Sequence, residues 1–296
     1  MMIPSDQVRT LLAVVDEGTF EAAARRLHVT PSAVSQRIKA LEQGAGRVLV
    51  QRTKPVRLTE SGSVVVRFAR QLAQVEHDLG SALGQTEEHE PAPLAIAVNA
   101  DSLATWFLPA LSAATARIAV CFDLQSADQD HTAELLKRGR VMAAVTSSAH
   151  PVQGCTARPL GRLRYHPVAS PAFVERHLAT GPLRETLPWA PMVVFDRTDD
   201  LQDRFLRRVT RRRVVAARHH IPSSHAFVEA VVGALGWGLV PEPQAEPLLA
   251  DGALVTLEGQ RPIDVPLYWQ QWKLDSPALA VVAEEVARAA TSVLRS

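Results

Sequence analysis

The chain has 296 residues, a mass of 32.2 kDa, 47% hydrophobic residues and a formal net charge of +1. This length predicts about two domains, and the apolar fraction excludes disorder for most of the chain. The uninterrupted apolar runs are too short for a membrane-spanning helix, and early charged residues argue against a secretory signal. We therefore expect a cytoplasmic protein with no membrane partner. Cys121 and Cys155 match no metal-binding spacing, so we expect neither a disulfide framework nor a metal site.

The charge is unevenly distributed along the chain. Residues 1–60 carry nine Lys or Arg and six Asp or Glu, a balance of +3. Residues 61–90 carry two basic and five acidic residues, a balance of −3. The chain therefore begins with a basic segment that is joined to an acidic one.

The basic segment predicts three helices. Apolar residues recur at helical spacing up to Gly18, which ends the first helix. A short alanine-rich helix follows Thr19 and ends near His28. Thr30 then serves as an N-cap and Pro31 as the first helical residue of a third helix. Two short helices joined by a tight turn predict a helix-turn-helix.

A hairpin is predicted directly after the third helix. Residues 48–59 form two β-like runs that are broken at Thr53–Pro55, and together they make a basic wing. A polar helix face beside such a wing predicts binding to double-stranded DNA. We expect the helix to read base edges in the major groove and the wing to lie along phosphates or in the minor groove. The alternative is a three-helix domain whose basic face is only solvated. The candidate DNA-binding residues are Thr30, Ser32, Ala33, Ser35, Gln36, Arg37, Lys39, Arg52, Thr53 and Lys54.

A long amphipathic helix is predicted after Gly62. Its apolar residues alternate at spacings of three and four, at Val65, Phe68, Leu72, Val75, Leu79 and Ala82. This heptad seam must be buried, so we expect the helix to pair with a second copy of the chain in a dimer or tetramer. Packing of the seam onto its own domain is the alternative. Residues 84–93, acidic with two prolines, predict a hinge.

From residue 94 onward, β-like runs alternate with amphipathic helices, which predicts α/β units around largely parallel sheets. Strands are predicted at 94–98, 118–124, 142–145, 163–168, 192–195, 214–217, 238–240, 254–257 and 267–270. Helices are predicted at 102–114, 132–137, 171–177, 201–209, 224–235, 243–249 and 277–294.

Polar residues cluster where predicted strands meet helices. Three such junctions, 99–102, 146–148 and 223–224, suit a carboxylate because helix N-termini offer free N–H groups. Each junction can also be an ordinary cap or turn. An acidic cluster at 195–200 adds spare aspartates, although Asp199 or Asp200 can simply head the next helix. Junctions that suit a carboxylate, together with spare aspartates that suit a cation, predict a basic amino acid as the ligand. The candidate effector-binding residues are Asn99, Ala100, Asp101, Ser102, Thr146, Ser147, Asp196, Asp199, Ser223 and Ser224.

The first sixty residues resemble the N-terminal signature of LysR-type transcriptional regulators. The matching positions are Phe20, Ala22, Ala23, Ala24, Leu27, Ser32, Ala33, Val34, Ser35, Ile38, Leu41, Glu42, Gly46, Leu49, Arg52, Thr59 and Gly62. Pro31 stands where many members have Gln, and Val50 where many have Phe. The resemblance implies a winged helix-turn-helix at 1–60, a dimerisation helix and hinge at 61–90, and an effector domain like periplasmic binding proteins at 91–296. That domain would comprise subdomain I (91–162 plus 265–296) and subdomain II (163–264).

The effector half resembles a narrower branch of that family, the ArgP and LysG regulators of basic amino acid export. The resemblance lies in residues 98–106, 195–196, 199–200, 223–224 and 226–228. It implies lysine, arginine or histidine as effector and an amino acid exporter gene as target. RNA polymerase is included among the partners that this function implies.

An enzyme is disfavoured by the motifs. The sequence lacks GxSxG, HExxH, GxGxxG and P-loop motifs, and His219 and His220 on one strand would point to opposite faces. We expect no catalytic residues, no metal and no cofactor. The remaining alternatives are a DNA-architectural protein without ligand sensing and a LysR-type regulator that responds to a different small molecule.

Overall fold

The computed structural model describes residues 4–83, 92–126, 129–211, 216–257, 259 and 262–296. It comprises a helical head, a long linker helix and an α/β region. The elements of the head and linker are α1 (Ser5–Glu17), α2 (Phe20–Arg26), α3 (Pro31–Ala45), β1 (Val50–Gln51), β2 (Arg57–Leu58) and α4 (Glu60–Ala82). The predicted helix-turn-helix and wing are thus both present. Among the described residues, every helix is too short or too polar to cross a membrane.

Local chemistry explains the bounds of the head's helices. Gly18 takes a left-handed φ of 72° and ends α1, which begins at Ser5 after Pro4. Thr19 and Thr30 cap α2 and α3 by accepting backbone N–H bonds at 3.1 Å. The strands β1 and β2 pair antiparallel, with Val50 opposite Leu58. The three helices and the wing share one apolar core, which includes Leu11, Ala23, Val34, Ile38, Leu41 and Leu49.

The linker helix α4 leaves an apolar stripe exposed in the protomer. Its large apolar side chains that are 45–59% exposed are Val64, Phe68, Leu72, Val75 and Leu79, and Leu83 directly after the helix is 60% exposed. The prediction that Val65 belongs to the exposed seam is wrong. Val65 is half-buried and packs against the core of the head, because α4 contacts α1. The predicted hinge lies largely outside the described residues.

The α/β region carries the remaining elements. Its strands are β3 (Ala92–Val98), β4 (Val120–Ser126), β5 (Ala143–Thr146), β6 (Cys155–Ala169), β7 (Met192–Val194), β8 (Arg218–His220), β9 (Gly238–Pro241), β10 (Val255–Thr256) and β11 (Ile263–Trp272). Its helices are α5 (Ala100–Ser102), a π-helical turn (Leu103–Phe107), α6 (Leu108–Thr115), α7 (Gln129–Lys137), α8 (Pro171–His177), α9 (Leu183–Thr186), a 3-10 turn (Leu187–Trp189), α10 (Leu201–Thr210), α11 (Ser224–Val232), α12 (Glu242–Ala250) and α13 (Pro277–Val293).

Two long antiparallel strands lie in the main, seven-stranded sheet of the α/β region, and β7 and β8 form a separate two-stranded sheet. The strand order is β10-β6-β11-β5-β3-β4, and β9 also pairs with β6. The predicted parallel pairing holds for β3 with β4 and β5, and for β7 with β8. The long strands β6 and β11 pair antiparallel, and their register shifts between Leu267 and Tyr268, near Gly161. The chain therefore crosses between the two halves of the region on paired strands rather than on flexible loops.

Some predicted bounds are wrong in detail. The helical segment predicted from residue 102 begins at Ala100, directly after β3. The strand predicted at 214–217 lies partly outside the described residues, and the observed strand is β8. The predicted bounds of the two subdomains stay a prediction.

Candidate functional site

A cavity of about 450 Å³ opens where the ends of several strands and helices meet. One wall comes from the start of α5 and the loop after β5. The other comes from residues 195–204 and the start of α11. Its lining residues are Asn99, Ala100, Asp101, Ser147, Tyr165, Phe195, Asp196, Thr198, Asp199, Asp200, Leu201, Gln202, Arg204, Ser224, Phe227, Leu239 and Pro241.

Asp101 is a half-buried carboxylate of the cavity. It lies on α5, where the chain turns from β3 into the helix, and its Oδ2 accepts a hydrogen bond from the Tyr165 hydroxyl at 2.8 Å. Burial raises the pKa of Asp101, while hydrogen bonds from Tyr165 and Ser224 work against that rise. The charge of Asp199 also raises the pKa of Asp101. The two carboxylates therefore repel each other when both are ionised.

Asp199 faces the cavity from the opposite wall. Its two oxygens accept backbone N–H bonds from Phe195 and Leu201, each at 3.0 Å, which fixes the carboxylate at the start of α10. Burial raises the pKa of Asp199, and those N–H bonds oppose the rise. The N-cap residue of α10 is Asp200, whose side chain makes no cap bond, and Asp199 directly precedes it. The Asp199 carboxylate keeps further acceptor capacity, and its role in ligand binding stays a prediction.

The other two aspartates have local partners. Asp196 Oδ1 closes a turn by accepting N–H bonds from Thr198 at 2.7 Å and from Asp199 at 3.0 Å. Asp200 pairs with Arg204, one helical turn later, at 3.3 Å. Four aspartates and one arginine therefore line the cavity, which gives its wall a net negative charge.

Seven of the ten predicted effector residues line the cavity, and three do not. Ser102 is buried behind the wall, and its Oγ meets no partner among the described residues. Thr146 is buried, and its hydroxyl engages the backbone of Ser148. Ser223 caps α11 by accepting the N–H of Ala226. These three residues shape the wall without forming its surface.

The sequence reasoning missed Tyr165 and the apolar floor of the cavity. Tyr165 lies in β6 within a run that predicts only a buried strand, so nothing local marked its hydroxyl as functional. Phe227, Leu239 and Pro241 come from α11 and β9. The period-2 alternation of β6, with Leu163 and Tyr165 both buried, was the available signal that the tyrosine faces inward.

The predicted DNA-binding residues lie on α3 and the wing, and none of the ten is buried. Arg52 stacks on the ring of Phe20 at 5.2 Å, which supports the wing against α2. Lys54 is 83% exposed and lies 4.0 Å from Glu21. Arg37 is turned back toward α1, where its Nε lies 3.6 Å from Asp6. The exposed members of the set present a polar and basic surface that fits a duplex.

Comparison with known proteins decides the family. Residues 5–63 match the model of the "Bacterial regulatory helix-turn-helix protein, lysR family", and residues 87–291 match the "LysR substrate binding domain". The chain belongs to the LysR family. Its members are transcriptional regulators and not enzymes, so the enzyme alternative is set aside.

Relatives within the family are of the LysG and ArgP type. A lysine export transcriptional regulatory protein LysG from Corynebacterium efficiens is 45% identical over 97% of this chain and 98% of its own length. The crystal structure of ArgP from Mycobacterium tuberculosis superposes with a TM-score of 0.89 at 45% identity, covering 100% of this chain and 99% of that one. Full-length LysG from Corynebacterium glutamicum with bound arginine superposes with a TM-score of 0.81 at 40% identity, covering 99% of this chain and 100% of that one. This chain is therefore a LysR-type regulator of the LysG and ArgP type.

Proposed function

We propose that this LysR-type regulator senses a basic amino acid in the acidic cavity and controls a gene for an amino acid exporter. The observation that carries the proposal is the pair of half-buried carboxylates, Asp101 and Asp199, on opposite walls of one cavity. Two like charges held close in a low-dielectric site destabilise each other. A cation placed between them removes that repulsion.

Charge also explains the selectivity of such a cavity. Taking an ammonium or guanidinium group out of water costs several kcal/mol unless carboxylates compensate it. Neutral amino acids of similar length would leave Asp101 and Asp199 uncompensated. We therefore expect arginine or lysine to bind at least about tenfold more tightly than norleucine, a difference of about 1.4 kcal/mol.

The two ends of the ligand need different partners. Asn99 Oδ1 is buried at the cavity wall and meets no hydrogen-bond donor among the described residues, so an ammonium group would satisfy it. The α-carboxylate would meet the free N–H groups at the start of α11, where Ser224 lines the cavity. The junction 99–102, which is also predicted to suit a carboxylate, is assigned to the ammonium group in this proposal, because the unpartnered Asn99 Oδ1 there is an acceptor.

The named relatives support the effector and the target gene. LysG from Corynebacterium glutamicum has been solved with arginine as its effector, and the Corynebacterium efficiens relative is named for lysine export. Chromatin immunoprecipitation in the source organism tests the target. We expect enrichment at the promoter of a transporter for basic amino acids, and enrichment only at unrelated promoters would refute this part of the proposal.

Titration calorimetry tests the effector. Arginine, lysine, histidine and norleucine are titrated into the wild type and into Asp101→Asn, Asp196→Asn and Asp199→Asn. The control is Asp123→Asn, which alters an exposed aspartate on β4 outside the cavity. We expect Asp101→Asn and Asp199→Asn to lower the affinity for arginine at least about tenfold. Equal affinity for norleucine and arginine in the wild type would sink the proposal and favour a different small molecule. No saturable heat with any ligand would favour the architectural alternative.

Operator binding tests the placement of the duplex. Loss of a base-edge contact costs about 1–3 kcal/mol and relaxes sequence preference, whereas loss of a phosphate contact weakens all sequences alike and flattens the salt dependence. We expect Gln36→Ala to behave in the first way and Arg52→Ala in the second. Gln43→Ala, exposed near the end of α3, is the matched control. Unchanged affinity in both test variants would contradict the placement.

The proposed assembly is a homodimer or a homotetramer. The exposed stripe of α4 gives the reason, because a contiguous apolar stripe of this length favours burial against a second copy. A contact with RNA polymerase stays a prediction.

A further inference from the structure

Two arginines of the linker helix hold the α/β region against the head of the same protomer. Arg70 Nη2 donates to Asp16 Oδ1 on α1 at 2.5 Å, and Arg70 Nη1 donates to the carbonyl of Gly139 at 2.6 Å. Its side chain is only 20% exposed. One planar guanidinium thus bonds two domains at once, and a shift of either domain breaks one of its two bonds.

The turn at Gly139 lies directly on the linker helix. Gly139 has a φ of +67°, and a Cβ at this position would come within 2.7–2.9 Å of the N, Cα and Cβ atoms of Arg67. Arg67 Nη1 in turn donates to the carbonyl of Gln153 at 2.8 Å. Two separate turns of the α/β region, at 138–140 and 152–154, therefore dock on neighbouring positions of α4.

One of these turns is continuous with the cavity wall. Ser147 lines the cavity, and the following residues run to Gln153. The buried Gln270 holds this loop rigidly, because its Nε2 donates to the carbonyls of Ser148 and His150 and its Oε1 accepts from Val152 N, each at 3.0 Å. A rigid loop carries a displacement at Ser147 over to Gln153 and Arg67.

Asp16, the partner of Arg70 in the head, also contacts the helix-turn-helix. Asp16 lies 3.6 Å from the guanidinium of Arg26, the last residue of α2. Since α2 packs against α3, the carboxylate of Asp16 connects Arg70 to the unit that carries the DNA-reading helix.

We infer that the loop 147–154 and the linker arginines Arg67 and Arg70 couple the effector cavity to the DNA-binding head. The inference rests on the proposed function for the nature of the effector. A ligand that moves the loop would alter the contact of Gln153 with Arg67. Arg70, three residues further along the same helix, would pass the change to Asp16 of the head. Coupling of this kind is measured as the ratio of operator Kd values with and without the effector, typically about 5–150.

The experiment compares Arg67→Gln, Arg70→Gln and the double variant with the control Arg138→Gln. Arg138 lies beside Gly139 but is 59% exposed and pairs with Glu134 on α7. Operator Kd is measured by fluorescence anisotropy with and without saturating arginine, and calorimetry records arginine binding for each protein. We expect the double variant to bind arginine while its Kd ratio falls to within about twofold of one, and the control to keep the wild-type ratio. A wild-type ratio in the double variant, or a ratio of one in an arginine-bound wild type, would overturn the inference.

Hydrogen exchange of the effector-free protein tests the contact without any ligand. We expect residues 138–140 and 152–154 to exchange at least about threefold faster in the double variant and at the normal rate in the control, because local stability governs exchange. Unchanged exchange in the double variant would refute the contact. Absence of arginine heat in the wild type would instead count against the proposed effector alone.

Discussion

The hydroxyl of Tyr165 donates a 2.8 Å hydrogen bond to Asp101 Oδ2 and thereby joins the long strand β6 to the start of α5. Burial and the charge of Asp101 raise the pKa of Tyr165 well above its ordinary value, so the phenol stays protonated and serves as a donor. The bond stabilises the ionised form of Asp101, which is the form that attracts a cation.

Tyr165→Phe should weaken arginine binding. Hydrogen bonds to charged groups contribute about 1.5–3 kcal/mol, so we expect at least about a tenfold loss of affinity in calorimetry. The chain has two tyrosines, and the matched control alters the other one, Tyr268→Phe, which lies on β11. An arginine affinity that stays within about twofold of the wild type in Tyr165→Phe would show that this bond does not set the charge of Asp101.

Arginine affinity should fall as the pH falls. The free protein has raised pKa values at Asp101 and Asp199 through burial, whereas a bound cation lowers both. Binding therefore releases protons, and the affinity is complete above the free-protein pKa and is lost as the pH drops through it. The groups that bear on this titration are Tyr165, Asp196 and Asp200. Calorimetry in two buffers of different ionisation enthalpy counts the protons, and a pH-independent affinity with no proton release would contradict the mechanism.

Asp101→Asn should stabilise the effector-free protein while it weakens arginine binding. A carboxyl whose folded pKa lies above its unfolded value lowers stability above the folded pKa, and the stability is regained as the pH falls toward the unfolded pKa of 3.8. Removing the charge at pH 7 removes this cost. We expect a rise in Tm of at least about 2 °C in thermal denaturation. A lower Tm at pH 7 would show that Asp101 contributes more through its hydrogen bonds than it costs through burial.

The head was largely predictable because its determinants are local. Thr19, Thr30 and Gly18 act through caps and a left-handed turn within three residues of themselves, and these signals are visible in sequence. In the α/β region, the π-helical turn at 103–107 and the start of α5 at Ala100 were missed. Asn99 is a favoured N-cap residue type, but its side chain makes no cap bond there.

The cavity was predictable only in part, because several of its contacts join residues that are far apart in the sequence. Asp101 and Asp199 stand next to strand ends, where sequence reasoning looks for ligand groups. Tyr165 meets Asp101 across 64 positions of the chain, and Gln270 braces a loop about 120 positions away. Such contacts depend on the antiparallel pairing of β6 and β11, which the prediction of largely parallel sheets did not contain.

Leu72→Asp should dissociate the oligomer without unfolding the protomer. Leu72 is 45% exposed on α4, so the substitution removes little packing within the chain. In the paired helix it places one charge per copy into an apolar seam, at a cost of several kcal/mol. Analytical ultracentrifugation at micromolar concentration should show monomers for Leu72→Asp and oligomers for the control Ala73→Asp, which places the same charge on an exposed neighbour outside the stripe. A wild type that sediments as a monomer would refute the role of the stripe.

Two alanine substitutions in the head should change its stability in opposite directions. A Cβ on Gly62 would lie 1.9 Å from the carbonyl oxygen of Leu49, which already accepts the N–H of Thr59 at 3.0 Å, so Gly62→Ala must push the wing away from α4. We expect a loss of about 1–3 kcal/mol and weaker operator binding. A Cβ on Gly44 meets nothing within 4 Å, and Gly44 lies within α3, so Gly44→Ala should gain about 0.5 kcal/mol from reduced freedom of the unfolded chain.

Thermal denaturation of the full chain, followed by circular dichroism, measures both effects, and operator affinity shows whether the wing has moved. If Gly62→Ala left both the thermal stability and the operator affinity unchanged, β1 and α4 would separate at no cost. That result would contradict the close approach of Gly62 to Leu49, on which the position of the wing depends.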